Sequence, residues 1–406
     1  MPVASPWVAA QYAPYAHTEI GEGKEREEKS KEWIFLKKYQ KLDIEGAILD
    51  EEQLKKHLEK MAMQHTLRAK SSKSTYPVPI LLENYIKIKN IYNLLNEHIK
   101  LGINIHPAGE WILDNFYIIE ETVRQIEKEI TIKKYTNFIG IQNGKYAGFA
   151  RIYVLATEIV AYTDNKLDDE TLKLALLAYQ RQKNLNMEEI WNIGIFLQIA
   201  IVEEIRNVCE KIYSVQMQKY RVEDIIERLV EYKTEHEQKF NEKQNYKTKI
   251  TESGQMKYPF IEYMSYRLKE MGTEGERYYT QLQDEISKLG FSIEEAIVKE
   301  HMEIAKTTDY MGRAISSFKA LQGLNFREIF EAVNKIDETL MHDYTDEFKK
   351  CDYKTKARYR NYVIKLAKRY DLSEVYVAKK AVACSKKYKM HVGFFLIGDK
   401  KYLLKE

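Results

Sequence analysis

Proline is scarce in this sequence and crowded to one end. Of its seven, three lie in the first fourteen residues, and the others are Pro77, Pro79, Pro107 and Pro259. Ala108–Tyr258 and Phe260–Glu406 therefore contain none, which permits long helices and little loop. Cysteine is scarcer: Cys209, Cys351 and Cys384 are far apart and odd in number. That suits a reducing cytoplasm and rules out a zinc-knuckle spacing. The nine histidines form no close ligand cluster. Charge of one sign is also lacking, since the net is +3, and this excludes a global polyelectrolyte role. Long apolar runs are missing too. The most apolar stretch, "IGIFLQIAIV" (Ile193–Val202), is interrupted by Gln198 and stops at Glu203, about half the length a membrane-spanning helix needs. The opening "MPVASPWVAAQYAPYAH" has no basic start and is broken by prolines, which makes a poor secretion signal.

What is present describes a soluble globular protein. The 406 residues are 44% hydrophobic and 31% charged, enough for two or three domains with cores of their own. Helix starts repeat one grammar. In "LNMEEI" (Leu185–Ile190), "FSIEEA" (Phe291–Ala296) and "LNFREI" (Leu324–Ile329), Asn186, Ser292 or Asn325 can cap while Glu189, Glu295 or Glu328 reaches back. Leu185/Ile190 and Leu324/Ile329 are spaced as hydrophobic staples, and Thr273 with Glu276 reads as a further capping box. The expected fold is all-α, a multi-helix bundle in two helical units. Residues 1–30 read as a mobile leader, 31–250 as one helical domain and 251–390 as a second with basic C-terminal helices. The polar stretch Asn241–Pro259 divides the two domains. In "HVGFFLIGDKKYLLKE" (391–406) two short runs flank Gly398-Asp399, the pattern of a small β-hairpin whose last strand reaches an apparently truncated end.

The stretch "HPAGEWILDNFYIIEE" (His106–Glu121) raises the question of a site. Glu110, Trp111, Asp114, Asn115 and Tyr117 are what a sugar clamp is made of, and equally what a capped amphipathic helix is made of. Ile112, Phe116, Ile119, Val123, Ile126 and Ile130 step by threes and fours into one apolar stripe, with Glu110, Asp114 and Glu121 opposite. Pro107 fits the first turn, and Glu110 complements the helix dipole there. Asn115 falls at the margin of the stripe, where its amide is expected to satisfy the backbone of a neighbouring loop.

Other motifs fail on inspection. "GIQNGKY" (Gly140–Tyr146) has one residue too few between its glycines for a phosphate loop and puts Tyr146 where a Ser or Thr is required. "TDNKLDDET" (Thr163–Thr171) has Lys166 at a calcium-ligand position and Asp169 in place of the turn glycine, so it reads as an acidic helix start. "HEQKF" from His236 lacks the second histidine of a zinc helix. No catalytic residues and no metal ligands are assigned. One asymmetry remains: Lys349–Met390 holds 14 Lys/Arg against three Asp/Glu, with the rhythm of a helix-turn-helix about Asp371-Leu372-Ser373. A nucleic-acid surface, a membrane-adjacent basic patch and a solvated face all fit that count.

Several stretches together resemble the N-terminal region of bacterial cyclic β-1,2-glucan synthases. They are "HPAGEWILDNFYIIEETVRQI", "YAGFARIYVLATEIVAYTDNKLDDETLKLALLAYQ", "EEIWNIGIFLQIAIVEEIR", "CDYKTKARYRNYVIKLAKRYDLSEVYVAKKA" and "HVGFFLIG", in the family's order over most of residues 80–400. The resemblance implies the cytoplasmic, non-catalytic N-terminal part of a very large inner-membrane enzyme. Glucosyl transfer from UDP-glucose, with its divalent metal, would belong to downstream domains, and no cofactor is expected in this segment. Its implied partners are those transferase and membrane domains and an anionic membrane surface, with no specific nucleic acid. The candidate membrane-facing patch is Lys379, Lys380, Lys386 and Lys387, because excess Lys/Arg belongs on the cytoplasmic approach to a bilayer. The competing expectation is a direct part in handling glucan or sugar nucleotide. Its candidate contacts are Glu110, Asp114, Arg151 and Arg206, with Trp111 or Tyr179 as a stacking surface. In the scaffold reading, Trp111 and Asn115 fix how their helix meets the Arg151–Ala161 helix.

Overall fold

A computed structural model describes residues 39–42, 44, 48–236, 256–324 and 326–398. The chain is all-α, with a single two-stranded pairing among the described residues, Leu67↔Ile141 and Arg68↔Gly140. Residues 1–30 and Asn325 lie outside the described residues. The described residues form two compact units, each assembled from separate segments. The first contains Val78–Glu129 and Ile201–Ser316, and the second contains Lys38–Pro77, Ile130–Ala200 and Ser317–Glu406.

The second unit begins with α1 (Glu51–Gln64), started by a capping box in which Asp50 accepts the Gln53 amide and Gln53 accepts the Asp50 amide. Strands β1 (Leu67–Arg68) and β2 (Gly140–Ile141) pair antiparallel, and β2 follows α4 (Ile132–Thr136) along the chain. The central element is α5 (Arg151–Tyr162). Every residue from Arg151 to Val160 is buried, so this helix is apolar nearly all round and has no solvent face to satisfy. Phe138, Tyr153 and Phe196 pack beside one another there, Phe196 lying 5.3 Å from Phe138 and 5.7 Å from Tyr153 between ring centroids. A fully buried Ile or Leu here contributes about 1.5–3 kcal/mol relative to exposure. Asp164 and Asn165 take the left-handed conformation, φ 54° and 59°, to turn the chain into α6 (Asp169–Gln180). Asp168 caps α6 through the Thr171 amide, so this acidic run is a helix start.

The long helix α7 (Met187–His236) contributes its first part to this unit and its remainder to the other. Its start follows the expected box: the Asn186 side chain accepts the Glu189 amide at 2.8 Å, and Glu189 accepts the Asn186 amide at 2.8 Å.

In the first unit α2 (Val78–Lys100) packs on α3 (Pro107–Glu129). The expected apolar stripe is buried at Ile112, Ile119, Val123 and Ile126. Tyr92 stacks on Phe116 at 4.3 Å, and Gly109 leaves room for Leu95, which a Cβ there would meet at 3.0 Å. A further core joins late α7 to α8 (Tyr258–Glu270), α9 (Thr273–Lys288) and the start of α10 (Ile293–Gly323) through Val222, Phe260, Met264, Leu282, Ile286 and Ile293. Ser292 and Glu295 form the expected box at the head of α10. The box expected at Thr273 does not form. Gly272 is the cap, at φ 62° with no side chain to bond, and Thr273 is already the first helical residue.

The rest of the second unit holds α11 (Phe326–Val333), α12 (Lys335–Leu340), α13 (Glu347–Lys350), α14 (Tyr353–Tyr370) and α15 (Glu374–Tyr388). The β-hairpin expected at 391–406 is corrected here. Residues 392–398 are helical, with Phe394–Gly398 a π-turn, and Phe395 and Leu396 are buried against α14 and α15. A short apolar run with no period of its own takes whichever form lets it dock. The run after Gly398 lies outside the described residues.

Candidate functional site

Arg151 opens α5 and is 2% exposed. Its Nε donates to Glu189 Oε1 at 2.7 Å, and its Nη2 donates to Glu189 Oε2 at 2.6 Å and to the Asn184 carbonyl at 2.8 Å. Glu189 is 0% exposed, and the same carboxylate closes the capping box of α7. Burial opposes the guanidinium's charge, yet Glu189 more than offsets it and raises the group above its ordinary value. Tyr179 lies beneath, its ring centroid 6.0 Å from the guanidinium and its hydroxyl 3.2 Å from His65 Nδ1. Burial pushes Tyr179 up to about 12 and His65 down to about 4. The structure therefore does bring the candidates Arg151 and Tyr179 together, inside a closed core. Both prongs of the arginine are already occupied, so the assembly locks helix starts and leaves no fork for a sugar or phosphate.

The candidates on α3 are differently placed. Glu110 and Asp114 are exposed, on the face opposite the buried stripe. Trp111 is 36% exposed and lies on Gly312 of α10, where an added Cβ would come within 3.1 Å of the indole. Asn115 is buried, and its Nδ2 donates to the Trp111 carbonyl at 2.7 Å, one turn back in its own helix. The expected bond to a neighbouring loop is therefore replaced by an intrahelical one. Arg206 is buried in the first unit, with Glu210 at 2.8 Å and Glu203 at 3.5 Å. Glu110, Trp111, Asp114, Asn115 and Arg206 belong to the first unit, and Arg151 and Tyr179 to the second.

Helices α14 and α15 form the expected helix-turn-helix. Asp371 adopts φ 52°, the Leu372 amide returns to the Ala367 carbonyl at 3.0 Å, and Ser373 caps the Tyr376 amide. Val375, Val377 and Ala378 are buried, while Lys379, Lys386 and Lys387 are exposed and Lys380 is half-buried. Glu374 does not face outward as a recognition residue would. Its Oε2 accepts the Met187 amide at 2.9 Å, supplying a second acceptor to the head of α7. Burial pushes Glu374 up to about 7.

The chain matches no family model. It is similar to the cyclic beta-(1,2)-glucan synthase NdvB of Rhizobium meliloti (strain 1021), 22% identical over 337 residues. The chain is a relative of a glucan synthase. The alignment covers 80% of this chain and 12% of the synthase, so the chain spans a small part of that protein's length. Among the described residues no helix is long and apolar enough to cross a membrane, and no group of three or more His, Cys, Asp or Glu side chains is placed to hold a metal ion.

Sequence reasoning missed a polar constellation at the junction of α11, α12 and α14. Asn334 caps α12 through the Ile336 and Asp337 amides, and Arg360 of α14 lies buried beside Asp337, Nη1 to Oδ2 3.5 Å. The cap was readable from "VNKIDE" as a local pattern. Its meeting with Arg360 was not, because the two lie on different helices and no spacing joins them.

Proposed function

We propose that this chain is a helical, non-catalytic scaffold or regulatory region of a cyclic β-1,2-glucan synthase system, held at the cytoplasmic face of the inner membrane. Glucosyl transfer from UDP-glucose, with its divalent metal, is the work of other domains, and the transferase and membrane domains are this region's partners. The observation that supports this reading most is the fate of Arg151. The side chain best suited to a sugar nucleotide is sealed against Glu189 in the core. The similarity to a glucan synthase supports assigning the scaffold to such a system.

The exposed lysines of α15 supply the means of attachment. Anionic headgroups attract each nearby charge by about 1 kcal/mol. A base-reading role has less support, because the first turn of α15 carries Glu374 turned inward and Val375 and Val377 in the core, where recognition residues would stand.

The test is co-sedimentation with lipid vesicles. The chain is expected to bind vesicles containing phosphatidylglycerol and to ignore pure phosphatidylcholine. Replacing Lys379, Lys380, Lys386 and Lys387 by Gln should abolish binding while the thermal melt stays unchanged. Binding that survives those four replacements, or a sequence-specific DNA footprint that withstands moderate salt, would contradict it.

A further inference from the structure

Within the second unit, α1 meets α5 through a histidine and a carboxylate. Glu158 of α5 has a side chain only 5% exposed, and both of its oxygens are engaged. Its Oε1 accepts the Tyr146 hydroxyl at 3.2 Å, and its Oε2 lies 2.7 Å from Nε2 of His57 on α1. An ionised carboxylate can only accept, so this contact places the ring proton on Nε2. In the neutral imidazole the lone pair is then left on Nδ1. The Tyr162 ring lies against the imidazole, 4.2 Å between centroids, and fixes its plane. His57 is 29% exposed in its side chain, so a ring held from behind still reaches solvent. Among the described residues nothing hydrogen-bonds its Nδ1.

One nitrogen held by a buried acid and the other left open is the arrangement that directs an imidazole as a nucleophile. Attack through Nδ1 leaves the ring cationic, and a carboxylate on Nε2 offsets that charge as it develops. A metal ion fits less well, because among the described residues no group of three or more His, Cys, Asp or Glu side chains is gathered to share it. The charge beside the ring favours an anion. Lys60, exposed, lies three residues further along α1 and so on the same side of the helix. Lys145 stands 5.5 Å over the ring of Tyr146, whose hydroxyl shares the Glu158 carboxylate with His57. We propose that His57 is a phosphoryl-acceptor site, phosphorylated on Nδ1 by a phosphoramidate donor. The Nδ1 lone pair forms the new N–P bond while the donor's own P–N bond breaks, and the donor's protonated nitrogen leaves with the bonding pair as a neutral base. The ring keeps its Nε2 proton and takes up one positive charge opposite Glu158. Nothing is oxidised or reduced. The site gives the region a covalent input, and it goes beyond the scaffold reading without resting on it.

Treating the full chain with potassium phosphoramidate tests this, with the label located by mass spectrometry and the bonded nitrogen identified by phosphorus NMR. The chain's other histidines are the internal comparison. Exposure alone favours His301, 62% exposed in its side chain and 3.8 Å from its nearest carboxylate, Glu262. His57 is nevertheless expected to be labelled about tenfold faster than His301, and on Nδ1. Glu158→Gln keeps an oxygen for the Nε2 proton and removes the charge; it should slow labelling of His57 by about tenfold and leave that of His301 unchanged. Lys60→Gln, at an exposed position, should slow labelling of His57 by about threefold. Thermal melts identify a variant that fails to fold, and Lys60→Gln decides if Glu158→Gln does. Labelling of His57 no faster than that of His301, a bond to Nε2, or labelling that Lys60→Gln leaves unchanged would overturn the proposal.

Discussion

Arg151 and Glu189 are 38 residues apart in sequence and meet as a two-pronged ion pair inside the core, with both side chains almost wholly shielded from water. Their value to the fold lies in mutual dependence. Each charge is tolerable because the other is there, and Glu189 also closes the start of α7. Removing one partner strands a buried charge, so Glu189→Gln should cost about 3–5 kcal/mol. Replacing both at once with apolar residues of similar volume should cost much less than the sum of the two single changes. Urea unfolding of the two singles and the double measures this; a Glu189→Gln cost below about 1 kcal/mol would mean that the pair is not structural.

Asn115 carries a smaller prediction than its sequence context suggested. Its side chain donates to the Trp111 carbonyl, the same carbonyl that α-helical geometry already pairs with the Asn115 amide. Removing the side chain therefore leaves that carbonyl satisfied. Asn115→Leu should change stability by no more than about 1 kcal/mol, where an orphaned loop would have cost about 1–3 kcal/mol. Thermal melts distinguish the two values.

The pH dependence of stability divides by sign. Burial raises Glu374 and Glu300 to about 7 from 4.5, so the folded state holds protons that the unfolded state has released between those values. Their contribution to stability falls as pH climbs through that window and is constant above it. Burial lowers His65, His98 and His106 to about 4 from 6.5, which has the opposite effect. Stability from these three is present above pH 6.5 and is lost as pH falls towards 4.

A difference measurement isolates the carboxylate that caps α7. Glu374→Gln retains an oxygen for the Met187 amide and removes the buried charge. Relative to the parent it should gain on the order of 1–2 kcal/mol at pH 8, allowing for residual solvent screening, with the gain shrinking towards pH 5. Unfolding curves at the two pH values check this, and a gain that does not vary with pH would contradict it.

The features legible in the sequence were those decided within one turn of chain. Asn186 with Glu189 and Ser292 with Glu295 cap as expected, because a box needs nothing beyond three residues. The stripe of α3 and the turn at Asp371 were legible for the same reason. Thr273 failed because Gly272 reaches a left-handed conformation one residue earlier and takes the cap position. Partners across long separations left no trace. Glu374 bonds the Met187 amide 187 residues away, and Arg151 reaches Glu189 38 residues away. Nor did composition reveal that each unit is assembled from separate segments, since a boundary inside α7 has neither proline nor a polar linker to mark it.

The most direct test of the central claim is a turnover assay on the chain itself. UDP-glucose, a divalent cation and a β-1,2-glucan acceptor are incubated with the protein, and UDP release and glucan length are followed. A scaffold that leaves transfer to other domains predicts release no greater than in a no-protein control and no extension of the glucan. Release above that control, abolished by a substitution in this chain, would contradict the account.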